Sequence, residues 1–234
     1  MVDIGCDHAY VPIFLLQEKI SPSALAFDIR EEPLKRAREH VEEAGLTDRI
    51  ILRVSDGMEA LGTDEADCAV ITGMGGRTII HILKEGCPYS KGIRELILSP
   101  QSEAAELRAY LRENNMEIVS EEMVTEKGKY YPVIKATVGD PRKKRKNSSA
   151  YDEALRYLEG SGMGSKERAL AVCDRYGPYM ITGNSAEFRT FMMHEIETYD
   201  IILHKLSPEK QPERYEEIKG YLADARAVTG GNAI

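Results

Sequence analysis

Apolar and polar positions change period repeatedly along the first 139 residues. Short apolar runs stand at Val2–Ile4 (interrupted by Asp3), Ala24–Phe27, Ile50–Val54, Asp67–Thr72 and Glu95–Leu98. Between them, apolar residues recur at three and four spacing. Leu34, Ala37, Val41 and Ala44 share one face of a helix predicted over Glu32–Ala44, with Pro33 in its first turn and Gly45 just past its end. Helices are also predicted over Ala9–Lys19, Arg77–Glu85 and Glu103–Asn114. The uninterrupted run Cys68-Ala69-Val70-Ile71 suits a strand buried on both faces. Met116–Thr125 and Tyr131–Val138 read as two antiparallel strands joined by Glu126–Tyr130. This alternation predicts an α/β fold: a parallel sheet ending in an antiparallel hairpin.

The pattern changes at Asp140. Pro141 stops the last strand, and Arg142–Lys146 is a run of five positive residues. Residues 150–228 read as helical, broken at Tyr176-Gly177-Pro178. Phe188, Phe191, Met192, Ile196, Tyr199, Ile202, Leu203 and Leu206 recur mainly at three and four spacing, and Ser207-Pro208 closes that helix. Tyr215, Ile218, Leu222, Ala225 and Val228 repeat the pattern, as two antiparallel helices joined by a short loop would. Gly230-Gly231-Asn232 reads as a frayed tail. The expected organisation is therefore a sheet domain over 1–139, a basic linker over 140–149 and a helical coiled-coil domain over 150–234.

Composition narrows the class. The 234 residues allow one sizeable core and an appendage. No run approaches the ~20 apolar residues of a membrane span, and no secretory signal is visible. Cys6, Cys68, Cys87 and Cys173 are scattered without a paired spacing. This favours reduced thiols in a cytoplasm over a disulfide framework or a zinc site. The five histidines share no ligand spacing with cysteines or carboxylates, so no metal is expected. Net charge is −8, and all of it falls in residues 1–139, with 16 Lys and Arg against 24 Asp and Glu. That balance argues against a general nucleic-acid surface. The run Arg142–Lys146 is either a solvated linker or a local phosphate-contacting arm.

Four polar signals fall at the predicted carboxyl ends of strands, where open α/β sheets bind ligands. Asp3 precedes Gly5, which opens a tight turn into a helix, and Asp7 and His8 follow. Asp28 ends the second strand about 20 positions beyond that glycine, where nucleotide-binding folds hold ribose hydroxyls. Asp56-Gly57 ends the third strand, and Gly73-Met74-Gly75-Gly76 follows the fourth. Taken singly, each also reads as a plain turn or a helix cap. Taken together, they place an acidic rim on one edge. An acid at the first strand end fits a nucleotide-like ligand with a cationic centre, such as S-adenosylmethionine, better than a pyrophosphate.

Asp3-Ile4-Gly5-Cys6-Asp7-His8-Ala9-Tyr10 resembles the opening motif of the bacterial tRNA (adenine(22)-N(1))-methyltransferase family. Gly73-Met74-Gly75-Gly76 after Val70-Ile71-Thr72 resembles its second motif, and Leu96–Gln101 the segment after its fifth strand. Gly128-Lys129-Tyr130 is similar to its late hairpin. Tyr176-Gly177-Pro178 with the helices beyond it resembles its C-terminal domain. The resemblance implies a class I methyltransferase Rossmann-like sheet with a C-terminal α-helical coiled-coil domain. It further implies S-adenosyl-L-methionine as donor and N1 of adenine 22 in tRNA as acceptor; with the composition, a cytoplasmic setting and no membrane are expected, and no obligate protein partner is evident.

Carried over by position, the resemblance sets Asp3, Gly5, Asp7 and His8 beside the methionine part of the cofactor. Asp28 falls on its ribose, and Asp56 and Gly57 on its adenine. Gly73, Met74 and Gly75 fall at the junction with the target base. Two catalytic candidates follow: Asp7, beside the charge that develops on the target ring, and Gln101. The family usually has Gln-Pro-Asn where this chain has Ser-Pro-Gln. The family pattern also has a helix and the whole first strand ahead of its opening motif, whereas Met1 falls almost on it here, so the expectation is a truncated chain or an internal start. The competing expectations are a methyltransferase for a small molecule or protein, and a non-catalytic RNA-binding or scaffold protein.

Overall fold

A seven-stranded sheet carries the first part of the chain, in strand order β3-β2-β1-β4-β5-β7-β6. The computed structural model describes residues 1–143 and 149–230. The strands are β1 (Val2–Ile4), β2 (Ala24–Asp28), β3 (Ile50–Val54), β4 (Cys68–Met74), β5 (Glu95–Pro100), β6 (Met116–Glu126) and β7 (Lys129–Val138). The first five are parallel, and β7 runs antiparallel to β5. β1 is central among the five parallel strands, with Val2 opposite both Leu25 and Ala69. From β1 the chain builds outward through β2 to β3, then returns to lay β4 on β1's other side. That reversal opens a crevice at the carboxyl ends of β1 and β4.

The helices of this part are α1 (Tyr10–Gln17), α2 (Glu31–Glu43), α3 (Gly76–Gly86) and α4 (Ala104–Glu113). The stripe expected on α2 is its packing face: Leu34, Ala37 and Val41 are buried. They join Ala9, Ile13 and Leu16 from the first βα unit in one apolar cluster with Ala24, Ala26 and Ile50 of the sheet. β2 is buried along its whole length, which explains its lack of alternation. Lys127 and Gly128, both at positive φ, close the β6–β7 hairpin in a two-residue turn.

The described residues divide into two compact units. One comprises Met1–Ser120 with the strand from Pro132 onward. The other comprises Glu121–Tyr131 with the C-terminal helices. The tip of the hairpin therefore clusters with the helices, although it precedes residue 139. The second unit contains α5 (Ser149–Gly160), α6 (Lys166–Tyr176), α7 (Pro178–Gly183), α8 (Ala186–Lys205) and α9 (Pro212–Val228). Serines start two of them: Ser165 Oγ accepts the Arg168 N–H, and Ser185 Oγ accepts the Phe188 N–H at 3.1 Å. Across the α8–α9 pair, Tyr199 packs on Tyr221 and Arg226 pairs with Asp200.

The Tyr176-Gly177-Pro178 break has a clear cause. Glu121 is buried against it and accepts the Tyr179 N–H at 3.2 Å. Gly177 has φ +91°, and a Cβ there would stand 2.6 Å from Glu121 Oε2. Only glycine combines that backbone with that neighbour. Tyr130 of the hairpin tip meets Phe191 edge-on, with ring centroids 5.3 Å apart. In the basic run, Arg142 forms a bidentate pair with Asp140 at 2.9 Å, which holds that carboxyl below the usual carboxylate range. Lys144, Arg145 and Lys146 lie outside the described residues, as do Gly231 and Asn232. Among the described residues, no helix is long and apolar enough to cross a membrane, and no group of three acidic, histidine or cysteine side chains is placed to hold a metal ion.

Candidate active site

The crevice at the strand ends is a cavity of about 590 Å³, a size typical of small-molecule sites. Its floor is the turn from β1 into α1. The N–H groups of Gly5 and Cys6 both donate to the Phe27 carbonyl at 2.8 Å, tying the turn to the end of β2. Within five residues, Gly5, Asp7 and Ala9 adopt positive φ, of 77°, 47° and 60°. Left-handed backbone is tolerated by Asp and disfavoured by Ala, so strain of about 1 kcal/mol or more is stored here. Gly5 leaves room that a side chain would fill. A Cβ there would overlap the terminal methyl of Met74, which rests on the glycine.

Asp28 organises the next part of the rim. One carboxylate oxygen accepts the Arg30 N–H at 3.0 Å, and the other accepts the Asp7 N–H at 3.3 Å. The same carboxylate thus fixes both the β2–α2 turn and the β1–α1 turn. Asp3 is buried in β1, and burial followed by the charge of Asp28 raises its pKa to about 7. Cys6 is pushed up to about 12, first by burial and then by Asp3 and Asp28. Its thiol therefore stays protonated and does not act as a nucleophile at neutral pH. His8 places Nε2 3.5 Å from Asp7 Oδ2, while its Nδ1 is buried without a partner.

The fourth strand contributes the other wall. Pairing of β4 with β5 slips between Thr72 and Met74, which turns the chain out at Gly73. Two backbone hydrogen bonds then stitch the glycine run to the segment after β5. Gln101 N–H donates to the Met74 carbonyl at 2.8 Å, and Gly76 N–H to the Ser102 carbonyl at 2.9 Å. They bring the Gln101 amide nitrogen to 3.9 Å from where a Cβ on Gly73 would stand.

Of the eleven residues singled out from the sequence, nine line the cavity: Asp3, Gly5, Asp7, His8, Asp28, Asp56, Gly57, Gly73 and Met74. Gly75 and Gln101 lie outside its lining. Gly75 is turned toward Ser102 and Glu103, whose side chains a Cβ would meet at 3.1 Å. Sequence reasoning did not single out Tyr10, Arg30, Ser55, Thr78 and His81, which also line the cavity. Of these, Ser55 carried a local signal, directly ahead of Asp56-Gly57. Its hydroxyl donates to the Gly57 carbonyl at 3.0 Å and accepts the Ala60 N–H, shaping that turn.

Strand order, the glycine turn after β1 and an acid at the end of β2 together define a class I methyltransferase. A family model described as a methyltransferase domain matches residues 1–134. A curated tRNA (adenine(22)-N(1))-methyltransferase of Bacillus subtilis (strain 168) is 31% identical over 224 residues, covering 96% of this chain and 86% of that one. The crystal structure of the B. subtilis m1A22 tRNA methyltransferase TrmK superposes with a TM-score of 0.76 at 29% identity, over 97% of this chain and 91% of that one. The structure of M. capricolum TrmK in complex with S-adenosyl-homocysteine gives a TM-score of 0.68 at 26% identity, over 98% and 90%. The chain belongs to the tRNA (adenine(22)-N(1))-methyltransferase family.

The raised pKa of Asp3 has a consequence for stability. Between its ordinary value and about 7, the folded protein retains a proton that the unfolded chain has lost. Stability therefore falls as pH rises over that interval and levels off above it. Asp3→Asn removes this penalty. The variant is expected to melt above the wild type at pH 8, with the gap closing toward pH 4.5. Thermal melts at the two pH values check this, and an equal gap at both would contradict it.

Proposed function

We propose that this chain transfers a methyl group from S-adenosyl-L-methionine to N1 of adenine 22 in tRNA. One observation carries the reading most directly: four carboxylates, of Asp3, Asp7, Asp28 and Asp56, converge on a single cavity, against Arg30 and the imidazoles of His8 and His81 among its lining residues. Such a rim repels a pyrophosphate and attracts a cation. The identity shared with the B. subtilis enzyme along nearly the whole chain supports the substrate.

The residues present fit the cofactor. Each Asp28 oxygen spends one lone pair on a backbone N–H and keeps another for a ribose hydroxyl. Asp56 and Gly57 suit the adenine end, with Asp56 accepting from an exocyclic amine. Asp7, with His8 Nε2 3.5 Å from its Oδ2, suits an amino-acid ammonium. Asp3 adds negative charge beneath it. Gly5 permits close approach once the Met74 methyl shifts, and Gly73 and Met74, which line the cavity, lie on the side proposed for the target base. The cofactor, when bound, supplies an electrophilic methyl on a sulfonium.

The chain's own share is alignment and charge. Adenine N1 carries a free lone pair once the base is unpaired, so no strong base is needed to activate it. Holding nitrogen, methyl and sulfur in line supplies much of the rate. The ring becomes cationic as N1 gains the methyl. The carboxylate of Asp7, 65% exposed at the cavity mouth, stabilises that charge as it develops. Gln101, carried beside Gly73, offers an amide to the edge of the base. The first compact unit supplies this chemistry, and the helical unit adds surface for a large substrate. A tRNA substrate and four free thiols support a cytoplasmic setting.

Two measurements test this reading. Labelled methyl from S-adenosyl-L-methionine is expected on an unmodified tRNA transcript with adenine at position 22, and not on one with guanine there. Label on both would reject the site, and label on neither would reject the reading. In Asp7→Ala, turnover is expected to fall at least about tenfold while cofactor affinity changes much less. Equal losses in both would remove Asp7 from the chemical step.

A further inference from the structure

Tyr10, the first residue of α1, borders the cavity and is 62% exposed. It is nevertheless held in place. One face of its ring stacks on His40 of α2, with centroids 4.9 Å apart and planes 23° from parallel. His40 is held in turn, since its Nδ1 lies 3.1 Å from the His8 carbonyl oxygen. A carbonyl only accepts, so that nitrogen carries the proton. The His8 ring lies 5.6 Å from both partners. A large aromatic side chain is thus fixed to the backbone of the cofactor turn through a histidine 30 positions away, with its second face left open. The apolar surface continues through exposed Val11 and Phe14 on the same helix.

We infer that the open face of Tyr10 is where the adenine to be methylated stacks, making Tyr10 a positioning residue for the reaction. The inference rests on the tRNA reading above. N1 lies on the pairing edge of adenine, so the base has to leave its stack to react, which costs a few kcal/mol. A free aromatic face at the mouth of the cavity repays that cost. The same contact favours reaction as well as binding. Gaining a methyl at N1 turns the ring into a cation, and a cation over a tyrosine face is held more tightly than a neutral ring. A leucine or isoleucine of similar bulk offers neither effect. His40 beneath the ring prevents Tyr10 from collapsing onto the protein when no base is present.

The test uses the full chain and tRNA transcripts carrying adenine or the fluorescent base 2-aminopurine at position 22. Tyr10→Leu is expected to lower kcat/KM by about 5- to 150-fold, the range for loss of one base–aromatic stack. Affinity for S-adenosyl-homocysteine should be unchanged. Tyr10→Phe, which keeps the ring, should recover most of the loss. With S-adenosyl-homocysteine bound, the 2-aminopurine transcript should be quenched by the wild type and bright with Tyr10→Leu and with His40→Ala. Normal transfer by the wild type, with kcat/KM and fluorescence both unmoved in Tyr10→Leu, would overturn the inference alone. Loss of S-adenosyl-homocysteine binding in Tyr10→Leu and Tyr10→Phe alike would also overturn it, by making Tyr10 a support of the cofactor turn. Absence of transfer by the wild type would remove the tRNA reading and this inference together.

Discussion

Two carboxylates on neighbouring strands, Asp3 within β1 and Asp28 at the end of β2, govern this structure. Both are buried, and the charge of Asp28 adds to burial in disfavouring the charge of Asp3. Burying like charges is expensive unless something pairs with them. Asp28 is paired within the protein, through the Asp7 and Arg30 N–H groups. Asp3 receives no comparable compensation, and its raised pKa records the deficit. A fold selected for stability alone would place an apolar residue there, as it does at Val2 and Ile4 on either side. The compensating charge is expected from a cationic ligand in the cavity above.

The surrounding architecture keeps that pair in place. Parallel strands on both sides of β1 bring three strand ends to one rim, and the reversal between β1 and β4 keeps the space above them open. The strained turn after β1 is held by two hydrogen bonds to a single carbonyl and by one to Asp28. Strain concentrated at one turn, and over-determined by its neighbours, is typical of a site that must be ready before its ligand arrives. The stitching of the β4 glycine run to the segment after β5 does the same for the opposite wall.

Much of this was legible in the sequence because burial on both faces leaves a plain mark. The predicted span of β3 matches the observed one, and the apolar face of α2 is the buried one. The acids at the strand ends were readable because a polar residue closing a buried strand has few structural uses. What escaped depends on contacts between distant residues. Glycine signals that something comes close, but not what: at Gly5 it is Met74, while at Gly75 it is Ser102 and Glu103. Tyr10 looked like one more residue on an apolar helix until His40 was seen against it. The hairpin tip could not be assigned to the helical unit from local pattern, since Glu121 meets Tyr179 across 58 positions. The break between α6 and α7 was readable at Tyr176-Gly177-Pro178, whereas the starts of α6 and α8 were not, because the serine caps Ser165 and Ser185 mark them without a change of period.

The claim that Asp3 is held for a cationic ligand is open to direct measurement by proton linkage. A cation bound above Asp3 lowers its pKa, so at pH 7 the carboxyl gives up a proton as the ligand binds. Calorimetric titration of S-adenosyl-L-methionine in buffers of differing ionisation enthalpy counts those protons. The wild type is predicted to release more protons than Asp3→Asn at pH 7, and to bind the ligand more tightly. Identical proton counts and affinities in the two proteins would contradict the account.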